Sequence, residues 1–132
     1  MILVDTSAWV DFFRGVAPFA EDVDDLLETD EVALCGPVET EVRRGLRSPT
    51  ERRKVIPLLA GCHRLEQPVR LWEEAGELGY VLARKGLTVK TLDLLIATYA
   101  LSHGVAILTA DSDFAAMRRC GVPVAVVGDA AG

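Results

Sequence analysis

Short apolar runs alternate along this chain with longer stretches whose apolar positions return every three or four residues. Ile2-Leu3-Val4 is the first run, stopped by Asp5; after a turn at Thr6-Ser7, Ala8 to Arg14 has the spacing of a helix and Gly15 ends it. Pro18 to Asp30 places Phe19, Val23, Leu26 and Leu27 on one helical stripe, with acids forming a solvated face between them. Val32 to Cys35 reads as a second strand, and Gly36-Pro37 opens a helix to about Arg47, because proline suits a first helical turn. Pro49 starts another, to about Ala60. A short extended piece at His63 to Leu65 precedes a long helix from Val69 to Lys85, closed by Gly86. Thr91 to Ser102 is a helix apolar on nearly every side, Val105 to Leu108 a buried strand and Asp111 to Arg119 a further helix. Val122 to Val127 reads as a last strand, whose Pro123 favours a sheet edge.

Strands that are apolar throughout and take turns with helices predict an α/β fold with a mainly parallel sheet covered on both faces. At 132 residues, 14.3 kDa and 50% hydrophobic composition there is room for one domain, assigned to 1–128, with 129–132 as a short tail. In such sheets ligands sit beyond the carboxyl ends of the strands, so Asp5 and Asp111, each following a strand, stand out first.

Composition narrows the chemistry. A net charge of −6 argues against gripping duplex nucleic acid by bulk charge and leaves only a local basic patch for that purpose. With no stretch of 18 consecutive apolar residues and an N-terminus that reads MILVD, with an acid at position five and no basic n-region, the expectation is a soluble, cytoplasmic protein without a membrane partner. Cys35, Cys62 and Cys120 are scattered, which predicts three small buried hydrophobes in a reducing compartment. His63 and His103 are isolated and complete no acid-base-nucleophile set and no H-E-x-x-H, so serine, cysteine and zinc hydrolases lose their support. No G-x-G-x-x-G follows a strand, which removes dinucleotide binding. Ser7 stands where an aspartyl phosphatase would place a second Asp, and Lys90, the last lysine, comes too early for a phospho-acceptor receiver domain.

Several acids sit where charge is costly. Asp5 ends a buried strand, either as an N-cap of the next helix or as a metal ligand. Val38, Val42, Gly45 and Leu46 mark an inward stripe along which Glu41 lies, as a paired side chain or a ligand, whereas Glu39 is expected to point to solvent beside Arg43. Asp93 is the only charge in Thr91 to Leu101, answered by the helix dipole or by a cation. Asp111 and Asp113 have a similar capping alternative. Together these acids would repel one another on one rim unless a cation neutralised them, and no lysine lies in their segments. All-oxygen ligands specify a hard ion, Mg²⁺ or Mn²⁺, and such ions serve phosphodiester hydrolysis by activating water. Arg43, Arg44, Arg47, Arg52, Arg53 and Lys54 oppose the single acid Glu51, either as a solvated helix pair or as contacts to a phosphate backbone. Trp9, Phe12 and Trp72 are assigned to the core, with an interface as the alternative.

With these residues in place, the chain resembles the PIN-domain ribonuclease family, in particular the VapC-type toxins of bacterial and archaeal toxin-antitoxin modules, over nearly its whole length. Asp5, within Met1 to Gly15, falls on the first family acid, with Ser7 as the hydroxyl that commonly supports it. Glu41 in Glu-Val-Arg-Arg-Gly-Leu46 falls on the second, and Asp93 in Leu-Asp-Leu-Leu-Ile-Ala97 on the third. Asp111 in Thr109-Ala-Asp-Ser-Asp-Phe114 falls on the fourth, with Thr109 and Asp113 as supports. The resemblance implies a three-layer α/β/α sandwich, a metal-dependent endoribonuclease acting on RNA, frequent homodimerisation and a cognate antitoxin protein. On that footing Asp5 and Asp93 are expected to bind Mg²⁺ (or Mn²⁺) directly. Glu41 and Asp111 complete its shell or recruit a second ion, and Thr6, Ser7 and Thr109 orient carboxylates or waters. The rival expectation is a PIN-fold regulator that binds RNA or a protein partner without turnover.

Overall fold

Four short strands carry the fold in the computed structural model, which describes residues 1–129: β1 (Ile2–Val4), β2 (Val32–Leu34), β3 (His63–Arg64) and β4 (Ala106–Leu108). They are ordered β3-β2-β1-β4 and every pairing is parallel. Between them run α1 (Thr6–Arg14), α2 (Phe19–Glu28), α3 (Gly36–Arg44), α4 (Pro49–Ala60), α5 (Leu71–Arg84) and α6 (Thr91–His103), and α7 (Asp113–Arg119) follows β4. Leu3 and Val4 point to opposite faces of β1 and both are fully buried, so the sheet is covered on both sides, as the unbroken apolar runs predict. β1 is the switch point of the sheet. Its neighbour β2 lies on one side and β4 on the other, which opens a crevice at the carboxyl end of β1.

Where boundaries differ from expectation, local hydrogen bonds explain it. α1 begins at Thr6 instead of Ala8, so both hydroxyls of the anticipated turn stand in the first helical turn. α3 stops at Arg44 because Gly45 closes it, its N–H reaching Glu41 O and Val42 O at 3.2 Å; Gly45 is exposed rather than inward and Arg47 lies off the helix. α5 starts at Leu71, and Val69 is wholly exposed ahead of it. Residues 122–127 do not form a strand. They make a single parallel bridge, Val126 to Ile107, with Ile107 N–H on Ala125 O at 2.8 Å and Val127 N–H on Ile107 O at 2.9 Å. Pro123 can donate nothing to a ladder, and the chain turns again at Gly128. Of the expected tail, Asp129 is tied back by its N–H to Val126 O at 3.1 Å, and 130–132 lie outside the described residues.

The core gathers Trp9, Phe114, Leu3, Leu34, Ile96 and Ile107, all fully buried. Phe12, half-buried, packs edge-on against Trp9 at 6.0 Å. Trp72 departs from its core assignment at 63% exposure: the stripe of α5 that is buried is Leu71, Ala75 and Leu82, and Trp72 lies about 100° round from Leu71. Cys35 is buried, and burial pushes its thiol up to about 12. Cys62 and Cys120 are only half-buried, because each falls just past the end of a helix. At Gly79 the helices α5 and α6 approach so closely that a Cβ would stand 2.7 Å from Leu94 Cδ1.

Gly15 caps α1 in the left-handed region at φ 68°, with space around it. Gly15→Ala should therefore cost about 1 kcal/mol through the backbone alone, read as a lower urea midpoint with an unchanged slope.

Candidate active site

Asp5 is delivered to the rim by β1. Its N–H reaches Leu108 O at 2.9 Å, which aligns the carboxyl ends of β1 and β4, and its side chain is 3% exposed. It occupies the N-cap position of α1, yet its carboxylate makes no capping bond, so the structural alternative for this acid fails. Instead Asp5 Oδ2 accepts from Thr109 Oγ1 at 2.8 Å and from Ser7 Oγ at 3.0 Å. These hydroxyls are themselves fixed: Ser7 Oγ accepts the Ala110 N–H and Thr109 Oγ1 the Asp111 N–H, both at 2.9 Å. Helix α1 and the loop after β4 thus hold one carboxylate between them.

Glu41 is reached from the other side of the same turn. Thr6 Oγ1 donates to Glu41 Oε1 at 2.7 Å, tying α1 to α3. Glu39 behaves otherwise. It pairs with Arg43 Nε at 2.8 Å as the spacing predicts, but it is also bonded by Arg64 of β3, and its side chain is 13% exposed instead of reaching into solvent. Arg64, and then Arg43, hold its carboxyl below the usual range.

Asp93, in the first turn of α6, is 8% exposed. Its carboxylate and those of Asp111 and Asp113 each offer an oxygen, and the three oxygens lie within 4.8 Å of one another. Asp111 Oδ1 accepts the Asp113 N–H at 2.9 Å, so the capping alternative is realised for Asp111 while both acids stay on the rim. Asp113, read from the sequence as a support, stands inside this tight group, and Asp5 is not one of its three members. The Asp-Ser-Asp spacing at a helix start was the available sign, because a first residue capping the second folds both toward one point.

The crowding shows in the electrostatics. Burial, then the charges of Asp111, Asp5 and Asp113, push Asp93 up to about 7. Burial also raises Asp5, opposed by the Thr109 and Ser7 hydroxyls and reinforced by Glu41. Thr109→Val should therefore move Asp5 still higher, visible as a shifted titration of its carboxyl carbon by NMR. Asp93 Oδ2 is buried with no hydrogen-bond partner among the described residues. A buried carboxyl oxygen stranded among other carboxylates fits a hard divalent cation, whose binding would favour its ionised form and offset the charge of its neighbours.

The basic strip is not brought to this rim as a unit. Arg43 is neutralised by Glu39, Arg44 is exposed at the end of α3, and Arg52, Arg53 and Lys54 face solvent on α4. Arg47 alone of the six shares a cleft with Glu41.

Comparison with known proteins bears on this geometry. The family described as PIN domain matches residues 2–119. VapC ribonuclease Mb1587 of Mycobacterium bovis and Ribonuclease VapC11 of Mycobacterium tuberculosis are each 35% identical over 124 residues, which is 90% of this chain and 92% of the relative. Among solved structures, VapBC2 from Rickettsia felis, bound to a DNA fragment from their promoter, superposes with a TM-score of 0.73 at 21% identity over 96% of both chains.

Proposed function

The chain belongs to the PIN-domain family, and we propose that it is a divalent-metal-dependent endoribonuclease, the toxin of a toxin-antitoxin pair. One observation carries this reading: the end of β1, α3, α6 and the entry to α7 bring Asp5, Glu41, Asp93, Asp111 and Asp113 to one rim, where their neighbours' charges help raise Asp5 and Asp93 and an Asp93 oxygen has no hydrogen-bond partner among the described residues. Relatives that carry the name ribonuclease over nine-tenths of the chain support the same chemistry.

In this site Asp93, Asp111 and Asp113 would hold Mg²⁺ or Mn²⁺, with Asp5 beside them. Bound there, the cation would stabilise charge on the phosphoryl group and acidify the attacking water. Thr109 and Ser7 restrain the Asp5 carboxylate by both donating to its Oδ2. Thr6 fixes Glu41 by Oε1, which leaves Oε2 to orient a water or accept its proton. An antitoxin protein and a second copy of the chain are the expected partners. No helix among the described residues is long and apolar enough to cross a membrane, and the site of action is expected to be the cytoplasm.

The test is cleavage of purified total RNA by the isolated protein with Mg²⁺ or Mn²⁺, and with EDTA. Discrete cuts that EDTA removes would support the reading. A folded, metal-binding protein that binds RNA or a partner and never cuts would replace it with the binding-regulator reading.

A further inference from the structure

A cleft of about 310 Å³ begins at the Thr6–Glu41 pair and follows the seam between α1 and α3. Phe13 and Leu46 give it an apolar lining, and Phe13 stacks on the buried Trp9 at 5.7 Å, which fixes its ring. Arg14, the last residue of α1, and Arg47, in the loop after α3, border it. Neither guanidinium forms an ion pair among the described residues. Glu51 also borders the cleft, but its Oε2 is engaged by the backbone N–H of Arg47 at 2.9 Å.

We propose that this cleft seats a nucleotide of single-stranded RNA next to the cleaved phosphodiester, with Arg14 and Arg47 gripping its phosphates and Phe13 and Leu46 receiving base or ribose. The assignment rests on the ribonuclease reading of the adjoining acids and adds the residues that place the strand. Charge complementarity chooses the occupant. In a chain of net charge −6, a polyanion approaching a rim of five carboxylates is repelled, and two unpaired cations beside Glu41 offset that repulsion where the strand must lie. The guanidinium fork matches phosphate oxygens, and a fixed aromatic ring beside an aliphatic side chain suits an unstacked base, which only a single strand offers.

The experiment compares wild type with Arg14→Ala, Arg47→Ala, the double variant and both Arg→Lys forms, using a labelled single-stranded RNA that the wild type cleaves. Each Ala change should raise KM about tenfold with kcat altered less than threefold. Affinity for the same RNA, measured in an Asp93→Asn background where the strand stays whole, should show a log-log salt slope shallower by about 0.7 per arginine removed. The Lys forms should restore the slope, and Arg84→Ala on the exposed side of α5 should leave it unchanged. A double variant with wild-type KM and salt slope overturns the cleft assignment while cleavage by the wild type keeps the ribonuclease reading, and it does so even if the same variant loses grip on a protein partner. Conversely, RNA binding that the arginines weaken in a protein that never cuts would keep the cleft assignment without the nuclease.

Discussion

Asp93→Asn should cut RNA cleavage by about a thousandfold or more in a protein that remains folded. The substitution keeps shape and removes one charge from the group of three carboxylates within 4.8 Å of one another. Little is lost structurally, since Asp93 Oδ2 has no hydrogen-bond partner among the described residues. The loss would fall on cation binding and on whatever part of the rate depends on it. Without metal the variant should melt at or above the wild-type temperature, because it removes mutual repulsion among buried acids. Asp5→Asn should also abolish cleavage, but there the Thr109 and Ser7 hydroxyls lose an ionised acceptor and the stability gain should be smaller. The check is single-turnover cleavage beside a thermal melt of the same sample. A folded Asp93→Asn protein with wild-type rates would remove this residue from the site.

The second large effect is on stability and joins metal to pH. In the metal-free protein Asp93 is held near 7, far above its ordinary value of 3.8, and Asp5 is raised as well. Between those limits the folded state binds more protons than the unfolded one, so stability must fall as pH climbs from about 4 through 7. That slope is opposite to the usual carboxylate case, in which pairing lowers the pKa. Mg²⁺ should reverse it, since ligands must be ionised to bind and the cation then removes their repulsion. At a hundredfold excess over its dissociation constant, the metal should add about 2.7 kcal/mol at pH 8, equivalent to roughly 10 °C in melting temperature for a domain of this length. At pH 5 the increment should nearly vanish. A melting temperature indifferent to Mg²⁺ at pH 8 would show that these acids do not form a cation site.

The chain announces its scaffold more fully than its edges. Ile2-Leu3-Val4, Val32 to Leu34 and Ala106 to Leu108 are apolar on both faces, as strands of a sheet covered on both sides are. The last apolar stretch, 122–127, looks the same on paper, but one proline and one turn leave it a single bridge. Asp5, Glu41, Asp93 and Asp111 were legible because each interrupts an apolar pattern. Ser7, two positions from Asp5, was legible as its support, but the rest of the arrangement was not: nothing local says that Thr6 serves Glu41 or that Thr109 serves Asp5, since those partners are 35 and 104 positions apart. Arg14 escaped notice for the same reason. At the end of α1 it reads as a charge answering the helix dipole, and only the packing of α1 against α3 puts it beside Glu41.

The pairing of β1 with β4 also bears on how the protein is made. Synthesis runs from the N-terminus and proceeds at about 5 to 20 residues per second, so Asp5 emerges several seconds before the strand and hydroxyl that hold it. Until Thr109 and the Asp111–Asp113 turn have left the ribosome, no nascent chain possesses an assembled carboxylate rim. A chain ended before β4 carries Asp5, Glu41 and Asp93 without Asp111 and Asp113, and so lacks two of the three acids whose oxygens lie within 4.8 Å of one another. The carboxylate rim therefore exists only in chains long enough to include the segment after β4.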